Sequence, residues 1–165
     1  MRRLSGWAAA VLLLAGCGAD SIVATTDGRP LLPGEKSMLV SGPRVVEVYG
    51  GPPDRSPPQA LAALLRFPGY RNDRAFEAVP ATGRGQRLVA VFGRARGRPC
   101  VAPQGAAIDL PMQLTLAFCR NAAQISLATM RSDTLVGPSD PGFARALDRM
   151  MLALTRSEGR RIFDN

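Results

Sequence analysis

Few residue types in this chain can do chemistry. It has no histidine, three cysteines and a single lysine, Lys36, among 165 residues. Without histidine, a Ser-His-Asp or Cys-His arrangement is excluded, and histidine-based metal sites with it. A serine–lysine pair fails because Lys36 lies before the folded domain. Two carboxylates, Glu47 and Glu77, fall on expected strands, and facing each other across a cleft they would suit glycosidase-type chemistry. Their simpler place is the exposed face of a half-covered sheet. No catalytic residue, metal site or cofactor is expected, and the chain does not read as an enzyme.

Arginine is the other reactive inventory. Gly83-Arg84-Gly85 and Gly93-Arg94-Ala95-Arg96-Gly97-Arg98 have the look of phosphate- or RNA-binding loops. Neither is a P-loop, because no Gly-Lys-Ser/Thr follows at the required spacing. The plain reading is a pair of exposed hairpin loops, with glycine for turn geometry and arginine for solubility. The sharper one is that Arg84, Arg94, Arg96 and Arg98 dock on anionic headgroups or lipopolysaccharide phosphates. The net charge of +8 agrees with either.

These side chains need elements to hold them. Residues 44–49 are β-branched and favour a strand, ended by Gly50-Gly51-Pro52-Pro53. Ser56-Pro57-Pro58-Gln59 is a capping-box pattern with proline in the first turn, opening an apolar helix to Phe67. Short strand 76–79 follows, then a turn over Thr82–Gly85 into a strong strand at 86–92. Residues 113–119 and 123–131 alternate as strands around Arg120-Asn121-Ala122, where asparagine tolerates positive φ. Asp140-Pro141 starts a helix on which Phe143, Leu147, Met150, Met151 and Leu154 form one stripe, read as ordinary core, and Gly159 is its expected stop. The order β-α-β-β-β-β-α implies an α+β fold. It is one small domain with a mainly antiparallel sheet of about five strands and two helices on one face. The domain spans 44–158, followed by a polar tail at 159–165.

The start of the chain has a different character. Met1-Arg2-Arg3 is basic and Trp7 to Gly16 is apolar or small, too short to span a bilayer. Leu14-Ala15-Gly16-Cys17 closes that run and resembles the lipobox of bacterial lipoproteins at all four positions. The resemblance implies that residues 1–16 are a signal peptide and that Cys17 becomes the lipidated, acylated first residue. It also implies a location in the cell envelope, with Gly18 favouring the outer membrane, facing the periplasm. Residues 17–43 then read as a tether with a span on the order of 25–30 Å, to which Ile22-Val23 and Met38–Val40 could add short edge strands. Removing Arg2 and Arg3 lowers the net charge to +6. Export also argues against nucleic acid as a partner.

With Cys17 assigned to lipid, Cys100 and Cys119 remain as a pair in an oxidising compartment and are expected to form a disulfide, although spacing alone does not bring their Cβ atoms together. The element order is similar to that of small periplasmic lipoprotein domains, the lipopolysaccharide-assembly lipoproteins among them. Residues 118–141 resemble envelope lipoproteins of GC-rich proteobacteria, which brings no activity with it. The expected role is binding, as an accessory or scaffold with an envelope protein partner. The alternative is a carrier of a small apolar or amphipathic ligand in a cavity lined by Leu88, Phe92, Leu116, Phe118 and Leu147. The sheet face left open by the helices is the expected place for an interface.

Overall fold

The computed structural model describes residues 41–67, 69, 74–95, 97–106 and 110–155, with Gly34 and Ser37 in isolation. Five strands and two helices follow in the expected order: β1 (Val45–Tyr49), α1 (Pro58–Leu64), β2 (Glu77–Ala78), β3 (Gln86–Phe92), β4 (Met112–Arg120), β5 (Ala123–Ser132) and α2 (Phe143–Leu154). The strands lie in the order β2-β1-β3-β4-β5. The long ladders, β3 with β4 and β4 with β5, are antiparallel, and β1 pairs in parallel with both β2 and β3. The α+β class, the mainly antiparallel sheet and the two helices stand as the alternation patterns implied.

Side-chain alternation assigns the two faces. Val46, Leu88, Ala90, Phe92, Leu114, Leu116, Phe118, Ala128 and Met130 point to the helices and form the main core with Leu61, Leu65, Phe143, Leu147, Met150 and Met151. Each such side chain, fully buried, contributes roughly 1.5–3 kcal/mol. The five side chains expected to line a ligand cavity all belong to this core. The opposite face is not bare. Val89, Val91, Cys100, Ala117 and Cys119 make a second buried cluster, so β3 is covered on both faces and reads as a continuous apolar run.

Two connections provide that cover, and neither is the simple hairpin loop the sequence suggested. Residues 79–85 join β2 to β3, which are not neighbours, so this segment crosses β1 as a strap. The connection from β3 to β4 joins antiparallel neighbours, but its described residues 97–106 lie back over the sheet, where Cys100 is bonded to Cys119 with the Cα atoms 5.5 Å apart. Closing a loop of this separation stabilises the fold by roughly 3 kcal/mol on the chain-entropy model. Asn121 turns the β4–β5 hairpin at φ 52°, as its tolerance of positive φ allows.

Both helix starts differ from expectation. The Ser56 hydroxyl donates to Asp54 Oδ2, 2.8 Å, so the α1 cap residue is Pro57, with no side-chain cap bond. Asp140 Oδ1 accepts from the Gly142 amide, 2.7 Å, which forms a turn before the helix and delays α2 to Phe143. Thr155 closes α2 by donating to the Met151 carbonyl. Gly159 and the possible edge strands at 22–23 and 38–40 lie outside the described residues. Among those residues, no helix is long and apolar enough to cross a membrane.

Candidate functional site

The strap and the disulfide loop meet over β1 and β3 at a buried ion pair. Strand alternation turns Glu47 and Arg87 away from the helices, and both are only 1% exposed. Arg87 Nε lies 3.0 Å from Glu47 Oε2, which also accepts from the Tyr49 hydroxyl, 3.1 Å. Glu47 Oε1 accepts from the Thr82 amide, the Thr82 hydroxyl and the Gly83 amide, at 2.7, 2.8 and 3.0 Å. The remaining guanidinium nitrogens of Arg87 donate to the carbonyls of Asn121, 2.9 Å, and Cys100, 3.0 Å. One salt bridge thus fastens the strap, the β4–β5 turn and the disulfide loop to the sheet.

The electrostatics follow from these bonds. Burial pushes the Glu47 carboxyl up, but hydrogen bonds from Thr82, Gly83 and Arg87 outweigh it and hold the pKa below its ordinary value. Burial, then the Glu47 charge and its hydrogen bond, push the Tyr49 hydroxyl up to about 12. The expectation that Glu47 lines an exposed face is therefore corrected: the strap crosses it and the carboxylate is spoken for. Glu77 is exposed, opposite Val45 on β2. With Glu47 committed to five donors and Glu77 on the surface, the two do not form an acid–base pair.

A second carboxylate does comparable work at the other end of the sheet. Asp54 accepts from the amide and hydroxyl of both Ser56 and Ser139, tying the β1–α1 loop to the loop before α2. Burial raises its pKa, and the bonds from Ser139 and Ser56 bring it below the ordinary value. A Cβ at Gly137, where φ is +143°, would lie 2.5 Å from this carboxylate, so glycine is needed there. Among the described residues, no three His, Cys, Asp or Glu side chains are placed to hold a metal ion.

The accessible part of the second face is an open groove over β4 and β5 of about 310 Å³. Arg98, Gln113, Thr115, Gln124, Leu127 and Thr129 line it, and the Thr115 and Thr129 hydroxyls are 3.2 Å apart. Its lining has hydrogen-bond donors and no carboxylate. It suits polar or anionic groups and offers no nucleophile–base pair.

Three of the four sequence-predicted arginines are described, and they are split between the two ends of β3. Arg84 precedes β3, next to Gly85, whose amide donates to Asn121 Oδ1. Arg98 is two residues from Cys100, whose carbonyl is held by Arg87, so Arg84 and Arg98 lie at the same end of the sheet. Arg94 follows Gly93 at the far end of β3, where the Gly93 amide bonds the Gln113 carbonyl. Seven strand residues, about 20 Å, separate it from Arg84. Arg96 and Cys17 lie outside the described residues. Sequence reasoning missed the Glu47–Arg87 clasp; its signal was a charged residue inside each of two otherwise apolar strand runs. The chain matches no known family model, no curated protein and no solved structure.

Proposed function

We propose that this is a lipid-anchored bacterial envelope protein that acts by binding, as an accessory or scaffold in envelope assembly or maintenance. The observation that carries the reading is the allocation of cysteines. Cys100 and Cys119 are bonded to each other, which leaves Cys17, at the end of Leu14-Ala15-Gly16-Cys17, as the one cysteine for lipid. A disulfide that pins a loop over the sheet suits an oxidising compartment, as the lipobox resemblance implies. The folded domain supports binding over catalysis: its two best-organised carboxylates, Glu47 and Asp54, are consumed by structural bonds. The groove over β4 and β5 offers donors to a partner. The outer membrane, facing the periplasm, is the location that Gly18 favours.

The test is crosslinking of the lipidated protein in intact envelopes, with the captured species identified by mass. The reading expects one dominant envelope protein, reduced when Gln113 and Thr129 in the groove are changed. Capture of lipid or small molecules alone would instead make the protein a carrier.

A further inference from the structure

The chain enters the domain at one end of the sheet, and that end is basic. Residues 41–44 lead into β1, so an anchor at Cys17 attaches from the side where β1 begins. Arg44 stands at that point; its carbonyl accepts from the Glu77 amide and its Nη1 donates to the Arg74 carbonyl, 2.6 Å. Arg74 is thereby placed beside it, at the start of β2. The Arg44 guanidinium lies over the Phe67 ring, 5.3 Å from its centroid. Next along the same end are Arg84, before β3, and Arg120, which pairs with Gln86 at the end of β4. The disulfide adds one more element, because Cys119 is opposite Arg87, the second residue of β3. Cys100 is therefore held at this end, and with it Arg98 and Val101, a valine 58% exposed at the loop tip.

Five arginines from four strands and a loop thus share the pole at which the chain arrives. On the strands, the carboxylates near them are Glu77, which is exposed, and Glu47, whose charge is matched by Arg87. Among the described residues, Asp54, Asp133 and Asp140 belong to the opposite end, after β1, after β5 and before α2, where Arg55, Arg94 and Arg131 match them in number, while Asp148 lies midway along α2. Charge among the described residues therefore runs along the strands from a basic pole to a balanced opposite end.

We infer that this pole, with Arg44, Arg74, Arg84 and Arg98, docks on the anionic phosphate headgroups of the membrane that holds the anchor, with Val101 at the contact. The inference rests on the lipid-anchor reading for its geometry. Each arginine near an anionic surface strengthens attraction about fivefold, and confinement by an anchor makes even a modest attraction orient the domain. Docking turns the Asp54–Asp133–Asp140 end outward. It also replaces the sequence-based grouping: Arg94, at the far end of β3, takes no part.

Two tryptophan probes test it in the full lipidated chain reconstituted into vesicles. The native tryptophan, Trp7, lies in the signal segment, so a Val101→Trp or an Asp133→Trp variant reports one pole at a time by energy transfer to a dansyl-headgroup lipid. In phosphatidylglycerol-containing vesicles, transfer from position 101 exceeds that from position 133. The difference collapses in phosphatidylcholine and in high salt, and it narrows on Arg84→Gln/Arg98→Gln, where the docked-to-undocked ratio falls about 25-fold. Equal transfer from both probes in phosphatidylglycerol, or an excess at 101 that ignores salt and both substitutions, overturns the docking. Flotation separates the two readings. A chain that floats on phosphatidylcholine has its anchor whatever the probes report. One that floats on phosphatidylglycerol alone retains the docking and loses the anchor.

Discussion

Breaking the Glu47–Arg87 pair from either side gives unequal costs, and the structure says why. An Arg87→Met substitution removes three donated bonds, to Glu47 Oε2 and to the carbonyls of Asn121 and Cys100. Glu47 keeps four donors, from Thr82 twice, Gly83 and Tyr49. At about 1 kcal/mol for each neutral acceptor and about twice that for the charged bond, the loss is about 3–4 kcal/mol. A Glu47→Leu substitution is worse. It leaves a guanidinium buried without its counter-ion and also strips the partners from Thr82, Gly83 and Tyr49, costing at least ~4–5 kcal/mol. The double variant removes both charges together, so it is less destabilised than the sum of the two single changes by at least ~1.5 kcal/mol. Urea unfolding of the oxidised chain, followed by far-ultraviolet circular dichroism with slopes compared across variants, measures all three. Additivity within ~0.5 kcal/mol would show that the two side chains do not depend on each other, and the clasp would have no energetic reality.

The two hydrogen-bonded carboxylates and Tyr49 set a response to pH at both extremes. Glu47 and Asp54 have folded pKa values below their ordinary 4.5 and 3.8. Their stabilisation is therefore complete above those values and is lost as the pH falls through the lower folded ones; acid titration of Glu47→Leu shows a shallower fall than that of the native chain. Tyr49 runs the other way, raised from 10 to about 12. Its contribution is intact below pH 10 and drains away as the pH rises towards 12. Of the two tyrosines in the chain, phenolate absorbance should show one near 12, and Tyr49→Phe should abolish that step.

Period-two alternation made β4 and β5 legible, because each keeps its pattern over nine or more residues, while β3 showed as a continuous apolar run. Proline and glycine marked the breaks, and Asn121 announced its turn. Less of the site could be read. Glu47 and Arg87 are forty residues apart, and only the parallel register of β1 with β3, in which Val46 meets Leu88, brings them together. Parallel pairing of non-consecutive strands has no local signature, so the sequence reads the strap over β1 as a hairpin loop and Glu47 as an exposed residue. The cap at Ser56 failed for a similar reason: Asp54, two residues earlier, competes for its hydroxyl. The basic pole was invisible because its arginines belong to different elements, whereas the runs that stood out in sequence, around Arg84 and Arg94, lie at opposite ends of one strand. The disulfide was legible only through the prior assignment of Cys17.

That assignment underlies the whole account, and the N-terminal peptide of the protein purified from membranes tests it directly. Mass spectrometry should find a chain that begins at Cys17, with a diacylglycerol on the sulfur and an acyl group on the new amine. A peptide that retains residues before Cys17, or one with that thiol unmodified, would contradict the lipid-anchored reading and leave the Cys100–Cys119 bond as a structural feature of a different kind of protein.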